Sequence, residues 1–300
     1  MRVLRIRILG ILSLIMRVFR RRAVDRIITV ALGSQRLRVA IRPGTGGGVP
    51  LLVCNGIGTP LEALAPFSTA VDPAIEVVRF DVPGVGGSPA TRLPYTLPFL
   101  AVLAVRMLGE LGYERFDVLG ISWGGALAQQ IALQYPRRCR RLVLVATATG
   151  SLMIPARPRV LAHLSSPRRH RDPAHAFAIA GDIYGGSLRY APELAQQVTR
   201  PLGESGGLAP GPSARGYLYQ LMAGAGWTSL PWLPLIRQPT LILAGDDDPI
   251  IPLANAKIMA ALLPNARLRV YQDGHLGLLT RSGELVPVVS EFLLAAEMDK

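Results

Sequence analysis

The chain is predicted to fold as an α/β domain: a mostly parallel sheet of eight strands, helices on both faces, and a helical lid insertion. Three observations predict it. From residue 27 onward short β-branched runs alternate with longer helical patterns, the signature of a sheet covered on both sides. One interval, residues 149–236, breaks that alternation. Between a strand-like and a helix-like segment stands Gly120-Ile121-Ser122-Trp123-Gly124, a pattern that favours a sharp turn.

The strands are expected at 27–32, 36–42, 51–54, 75–80, 116–120, 141–146, 240–244 and 268–271, with the first two forming a hairpin around Gly33-Ser34. Helical periodicity fills 98–111, 124–135, 253–263 and 283–296. Residues 149–236 are rich in Pro, Gly, Arg and aromatics and show no strand period. A structureless loop of that length is improbable inside a compact domain, so this stretch is expected to be a helical lid over the ligand-binding end of the sheet. Within it, residues 204–213 are rich in Gly, Pro and Ser and are expected to form a flexible connection. The domain plan is therefore an extension at 1–26, a first core part at 27–148, the lid at 149–236 and a second core part at 237–300.

The formal charge of +13 is unevenly spread. Eight arginines against Asp25 place +7 of it in the first 26 residues, which leaves only +6 for the rest. Basic charge confined to one end argues for a surface-seeking terminus rather than a nucleic-acid-binding fold. The apolar stretch from Ile8 to Met16 is too short to span a bilayer, and no small-x-small cleavage site follows it. A cytoplasmic location is expected, with contact to a lipid-like surface through residues 1–26 as one reading and a loose extension as the other. Cys54 and Cys139 have no metal-type spacing and are expected to be buried, reduced thiols. No metal and no cofactor is expected, because the chain shows neither a phosphate loop nor a spaced set of metal ligands.

A serine hydroxyl is a weak nucleophile, so it must be lifted clear of the sheet, set beside a base and faced with oxyanion donors. Ser122 meets the first need, with the apolar run Phe116-Asp117-Val118-Leu119 before it and the helical run from Ala126 after it. In the α/β-hydrolase arrangement the acid and then the histidine follow the serine in the chain. Of the four histidines, His163, His170 and His175 fall inside the lid stretch, and only His275 comes after the last strand. The acid belongs in Gly245-Asp246-Asp247-Asp248-Pro249, where composition does not choose among three aspartates. Asp248 is favoured because the residue before a proline is held extended. The oxyanion donors are expected to be the backbone N–H groups of Trp123 and Ile57, with Gly56 letting the main chain approach the substrate.

Five blocks carry a family resemblance: Asn55-Gly56-Ile57-Gly58, Phe80-Asp81-Val82-Pro83-Gly84-Val85-Gly86-Gly87-Ser88, the stretch from Ile121 to Gln130, Gly226-Trp227-Thr228-Ser229, and Ala244-Gly245-Asp246-Asp247-Asp248-Pro249. Together they resemble the intracellular medium-chain-length polyhydroxyalkanoate depolymerases. The resemblance implies Ser122, Asp248 and His275 as the triad, and a stored polyester substrate cut through an acyl-enzyme to 3-hydroxy acids or oligomers. Related polymerases carry a cysteine nucleophile, so serine favours hydrolysis. Residues 1–26 and a longer 204–213 stretch depart from the family pattern. Trp123 is expected to line the pocket, while Phe177, Tyr184, Tyr190, Tyr217, Tyr219, Trp227 and Trp232 are expected mostly to pack as lid core. Arginines 157, 159, 168, 169 and 171 would give the lid a basic rim. The competing readings are a general carboxylesterase or carbon–carbon bond hydrolase on small substrates and, in another class, a non-enzymatic granule-coating protein.

Overall fold

The computed structural model describes residues 25–165, 172–191, 193–194 and 212–296. Residues 1–24 of the expected surface-seeking extension, most of the expected connection at 204–213, His170 and arginines 168, 169 and 171 lie outside them.

Eight strands form one sheet: β1 (Arg26–Leu32), β2 (Gln35–Arg42), β3 (Leu51–Cys54), β4 (Val77–Phe80), β5 (Phe116–Ile121), β6 (Cys139–Val145), β7 (Thr240–Gly245) and β8 (Ala266–Tyr271). Their spatial order is β1-β2-β4-β3-β5-β6-β7-β8. The hairpin β1–β2 and the pairing of β2 with β4 are antiparallel, and every other pairing is parallel. The hairpin turns through Gly33, whose positive φ of 66° a side chain would resist.

The central strands β3, β4 and β7 are buried along their whole length, as expected for parallel strands covered on both faces. Strand periodicity divides their side chains between two cores. Leu52, Val78, Val118, Leu142, Leu144 and Ile242 face one core. Leu51, Val53, Val77, Leu119, Val143 and Leu243 face the other. On the first face lie α2 (Leu97–Glu110), α3 (Trp123–Gln134) and α7 (Leu253–Leu262). On the second face lie α1 (Ala65–Ala70) and α9 (Ser282–Leu294), the latter just after the short α8 (Gly277–Thr280). Between β6 and β7 the chain forms α4 (Pro158–Ser165), α5 (Pro173–Tyr184), a 3-10 turn (Gly186–Arg189), α6 (Ala214–Ala225) and a second 3-10 turn (Leu230–Leu235).

Three expectations are corrected. The sequence reading put no helix between β3 and β4, yet a 3-10 turn (Leu61–Leu64) leads directly into α1 there, and Leu64 and Phe67 fill the second core. Strand β6 starts at Cys139 because that residue pairs in register with Phe116. Residues 25 and 26 belong to the body rather than to an extension, since Arg26 opens β1 and Asp25 pairs with the buried Arg79. Both cysteines are buried and unbridged, and burial pushes each thiol pKa upward.

One largely buried ion pair fastens the amino ends of the central strands β5 and β6. Arg140 grips Asp117 with two bonds, Nε to Oδ1 at 2.9 Å and Nη2 to Oδ2 at 2.5 Å. Arg140 and Arg141 also donate to Leu293 O near the end of α9, where helix carbonyls lack partners of their own. Arg140→Met strips Asp117 of its bidentate partner and is expected to cost about 3–5 kcal/mol in urea unfolding, with part of the loss recovered when Asp117→Asn is added. Unchanged stability in Arg140→Met would remove this pair from the account.

Candidate active site

The site is assembled at the carboxyl ends of β3, β5, β6, β7 and β8, where ligands of open α/β sheets bind. Ser122 stands between β5 and α3 with φ 53° and ψ −121°, a conformation an L side chain rarely adopts. The strain is held by its surroundings. Ser122 N donates to Val145 O at 2.9 Å, while Ser122 O accepts from Gly125 N at 2.9 Å and from Thr147 Oγ1 at 2.7 Å. A Cβ on Gly120 would run into Gly124 O and Ala128, one on Gly124 into Cys54 O, and one on Gly125 into Thr147. Only glycine permits α3 to start so close to its neighbours.

The aspartate run separates by environment. Asp248 is buried, and its Oδ2 lies 2.8 Å from His275 Nδ1. Its Oδ1 accepts from Ile250 N and Ile251 N, both at 2.9 Å, which fixes the carboxylate plane. Asp246 and Asp247 are exposed. Asp247 turns outward to Arg189 Nε and Gly186 N, each at 2.8 Å. An anionic carboxylate at Nδ1 favours the imidazole tautomer protonated there and leaves the Nε2 lone pair for the site. His163 lies instead in α4, with Nε2 3.9 Å from Asp182, and His175 in the first turn of α5.

The loop after β3 lies beside the nucleophile, since a Cβ on Gly56 would sit 3.9 Å from Ser122 Cβ. Asn55 Nδ2 donates to Thr59 O and Pro60 O, and Thr59 Oγ1 donates to Ile57 O at 3.2 Å, so the loop is braced internally. Trp123 occupies the first position of α3, where an amide has no intrahelical acceptor. Its indole packs beneath α6, with Nε1 donating to Gln220 O at 2.9 Å.

Two groups escaped the sequence reading. Asp273, in the stretch Gln272-Asp273-Gly274-His275, accepts from Ser187 N and Ser187 Oγ, from Gly274 N and from Thr280 Oγ1. With Asp247 it ties the β6–β7 insertion to the two loops that carry Asp248 and His275, and His275 N adds a bond to Tyr184 O at 2.7 Å. Gln220, in α6, touches both the β3 loop and Trp123. The insertion's aromatics divide: Trp227 is buried and Tyr184, Tyr217 and Tyr219 are half-buried, Tyr184 and Tyr219 against the hydrophobic clusters. Phe177, Trp232 and above all Tyr190, 84% exposed, do not pack as expected. Among the described residues, the insertion's own hydrophobic cluster is small and centres on Ala180 and Leu188, so it offers little room for them. Arg157 and Arg159 are exposed, and Arg159 pairs with Asp182 at 2.7 Å.

A serine in a strained strand-to-helix turn and a buried carboxylate–imidazole pair, in the chain order Ser, Asp, His, define this fold and site as those of an α/β hydrolase. The chain belongs to the α/β-hydrolase family, whose fold model matches residues 49–282. It is 51% identical over 265 residues to a poly(3-hydroxyalkanoate) depolymerase of Ectopseudomonas oleovorans, across 88% of this chain and 91% of that relative. Against a 2-hydroxymuconate semialdehyde hydrolase of Pseudomonas sp. (strain CF600) the identity is 28% over 278 residues, across 89% of this chain and 95% of the relative. A solved hydrolase from Pseudomonas aeruginosa PA01 superposes with a TM-score of 0.73 at 24% identity, covering 90% of this chain and 99% of that one, which speaks to the fold alone.

The ties made by Asp247 and Asp273 are expected to weaken on acidification. The bond from Arg189 is the largest influence on Asp247 and holds its pKa below the ordinary value, against burial and with help from Gly186 N. Burial alone would raise Asp273, but Ser187 N, Thr280 Oγ1, Gly274 N and Ser187 Oγ outweigh it and leave that pKa lowered too. Depressed carboxylate values contribute stability that is complete above an unfolded pKa of about 3.9 and lost as pH falls through the folded values. Unfolding free energy is therefore expected to fall on acidification below about pH 4, and to fall less steeply in Asp273→Asn. Urea titrations from pH 2 to pH 5 check this, and identical slopes would contradict it.

Proposed function

We propose that the chain hydrolyses the ester bonds of stored medium-chain-length poly(3-hydroxyalkanoate), using Ser122 as nucleophile, His275 as base and Asp248 as its partner. The observation that carries this reading is the buried Asp248–His275 pair at 2.8 Å on the loops after β7 and β8, at the same carboxyl edge of the sheet as the strained Ser122 turn. His275 Nε2 takes the proton as Ser122 Oγ attacks the ester carbonyl. The oxyanion then forms against Ile57 N and Trp123 N, donors of a kind worth about 2.7–4 kcal/mol each in the transition state. The protonated imidazole returns its proton to the departing 3-hydroxyl oxygen, leaving an acyl-enzyme on Ser122. Water, deprotonated by the same nitrogen, releases a 3-hydroxyalkanoic acid or oligomer.

Support for a polyester substrate comes from the 51% identical relative, which is named for depolymerising poly(3-hydroxyalkanoate). The β6–β7 insertion acts as the lid, keeping the ester away from bulk water, with Gly56 and Trp123 at the entrance to the reacting carbonyl. The domain division is an extension through residue 24, a core interrupted by this lid at 149–236, and a closing core segment from 237. The working location is the granule surface in the cytoplasm, where the eight arginines of residues 1–26 would favour an interface. No helix among the described residues is long and apolar enough to cross a membrane.

Incubation with a medium-chain polymer emulsion is expected to release 3-hydroxyalkanoates. Ser122→Ala should release none, and Asp248→Asn about 10⁴-fold less per unit time. Removing residues 1–24 should lower the fraction of protein that sediments with granules while leaving turnover of soluble esters intact. Turnover of small esters or carbon–carbon substrates alone, with inert polymer, would overturn the polyester reading.

A further inference from the structure

One buried residue of the insertion contacts both segments that carry the expected oxyanion donors, the loop after β3 through its side chain and Trp123 through its main chain. Gln220 is 1% exposed and lies on the inward face of α6, with Gly216 and Ala223 one turn either side. Its Oε1 accepts from Gly58 N at 2.8 Å, and its main-chain oxygen accepts from Trp123 Nε1 at 2.9 Å. A buried amide costs free energy unless it is bonded, so a glutamine at this position is anchored to what it touches.

What it touches is the junction that aims the donors. Gly58 has φ +67°, so the peptide joining it to Ile57 is turned in a way that a side chain would oppose. Within the loop, Gly56 O accepts from Thr59 N, Ile57 O from Thr59 Oγ1, and Thr59 O and Pro60 O from Asn55 Nδ2. Gln220 adds a restraint from the insertion, at Gly58 N, and none of these bonds uses the Ile57 N–H. The same helix is packed tightly against both partners. A Cβ on Gly58 would come within 3.1 Å of the Tyr217 ring, and one on Gly224 within 3.1 Å of Trp123 Nε1.

We propose that Gln220 is a positioning residue that sets the oxyanion hole from the insertion, holding the Ile57–Gly58 peptide with its side chain and the Trp123 indole with its carbonyl. The hole is then complete only when α6 is seated, which couples closure of the insertion to the ability to stabilise the oxyanion. Gln220 touches no reacting atom. The inference rests on the Ser122, Ile57 and Trp123 reading given above.

The test uses the full chain, 4-nitrophenyl octanoate as a soluble ester, and an alkyl trifluoromethyl ketone, which forms a tetrahedral oxyanion adduct on a serine nucleophile. Gln220→Met keeps the length but removes the acceptor. Gln220→Asn keeps an amide but draws it back from Gly58 N, and decides the question if the methionine variant does not fold. Full removal of an oxyanion donor costs about 10²–10³-fold in kcat, so misplacing one is expected to cost about 10–100-fold. KM should stay within about twofold, and inhibition by the ketone should weaken by the same factor as kcat. A raised KM with unchanged kcat and unchanged ketone affinity would show a packing contact only and overturn the proposal. If the ketone fails on wild type, or binds Ser122→Ala equally well, the Ser122 reading itself fails, an outcome distinct from failure of the Gln220 proposal.

Discussion

The backbone at Ser122 is the constraint around which the rest of the molecule is arranged. A non-glycine residue at φ 53° is strained by about 1–3 kcal/mol and persists only where neighbours over-determine it. Here three hydrogen bonds to its own peptide groups do so, from Gly125 N and Thr147 Oγ1 and to Val145 O. They are possible because α3 begins against Cys54 O and Thr147, a distance of approach that Gly124 and Gly125 alone allow. The parallel pairing of β3, β5 and β6 puts all these groups on one edge, so the strain is carried by the core of the sheet rather than by a loop.

The second layer of support comes from the β6–β7 insertion, and it is polar. Asp247 and Asp273 reach from the loops after β7 and β8 to Arg189, Gly186 and Ser187, which ties the insertion to the loops that carry Asp248 and His275. On the opposite flank Trp227 Nε1 donates to Gln130 Oε1 and Ser229 Oγ donates to Gln129 Oε1, both at 2.6 Å. Two sequence blocks nearly a hundred residues apart, Gln129-Gln130 and Trp227-Thr228-Ser229, are thus the two halves of one buried network. Such networks specify a geometry when every member is satisfied, and this one fixes the helix that begins at the nucleophile.

Much of this was legible in the sequence because it is local or ordered along the chain. Eight strands followed from β-branched runs, and His275 followed from the order of partners. The choice of Asp248 leaned on Pro249 and on resemblance, and its side chain is the one that meets the imidazole. What escaped was of two kinds. The helix at Ala65–Ala70 lies in a short segment with Pro66 in its first turn, too brief for periodicity to register. Gln220 and Asp273 act through contacts distant along the chain, 162 residues from Gly58 in the first case and 86 from Ser187 in the second, and no local pattern announces such partners. The exposed aromatics of the insertion were misjudged for a related reason, because how much of a segment is buried depends on what it packs against.

The central claim is that the strained Ser122, and no other group, carries the acyl chain during turnover. Intact-mass and peptide mass spectrometry of the protein quenched with acid during turnover of a 3-hydroxyoctanoyl ester tests it most directly. The account predicts a single acyl adduct on the peptide containing Ser122, absent from Ser122→Ala and sharply reduced in His275→Gln, which lacks the base that acylation needs. An adduct on another residue, or full turnover by Ser122→Ala, would contradict it.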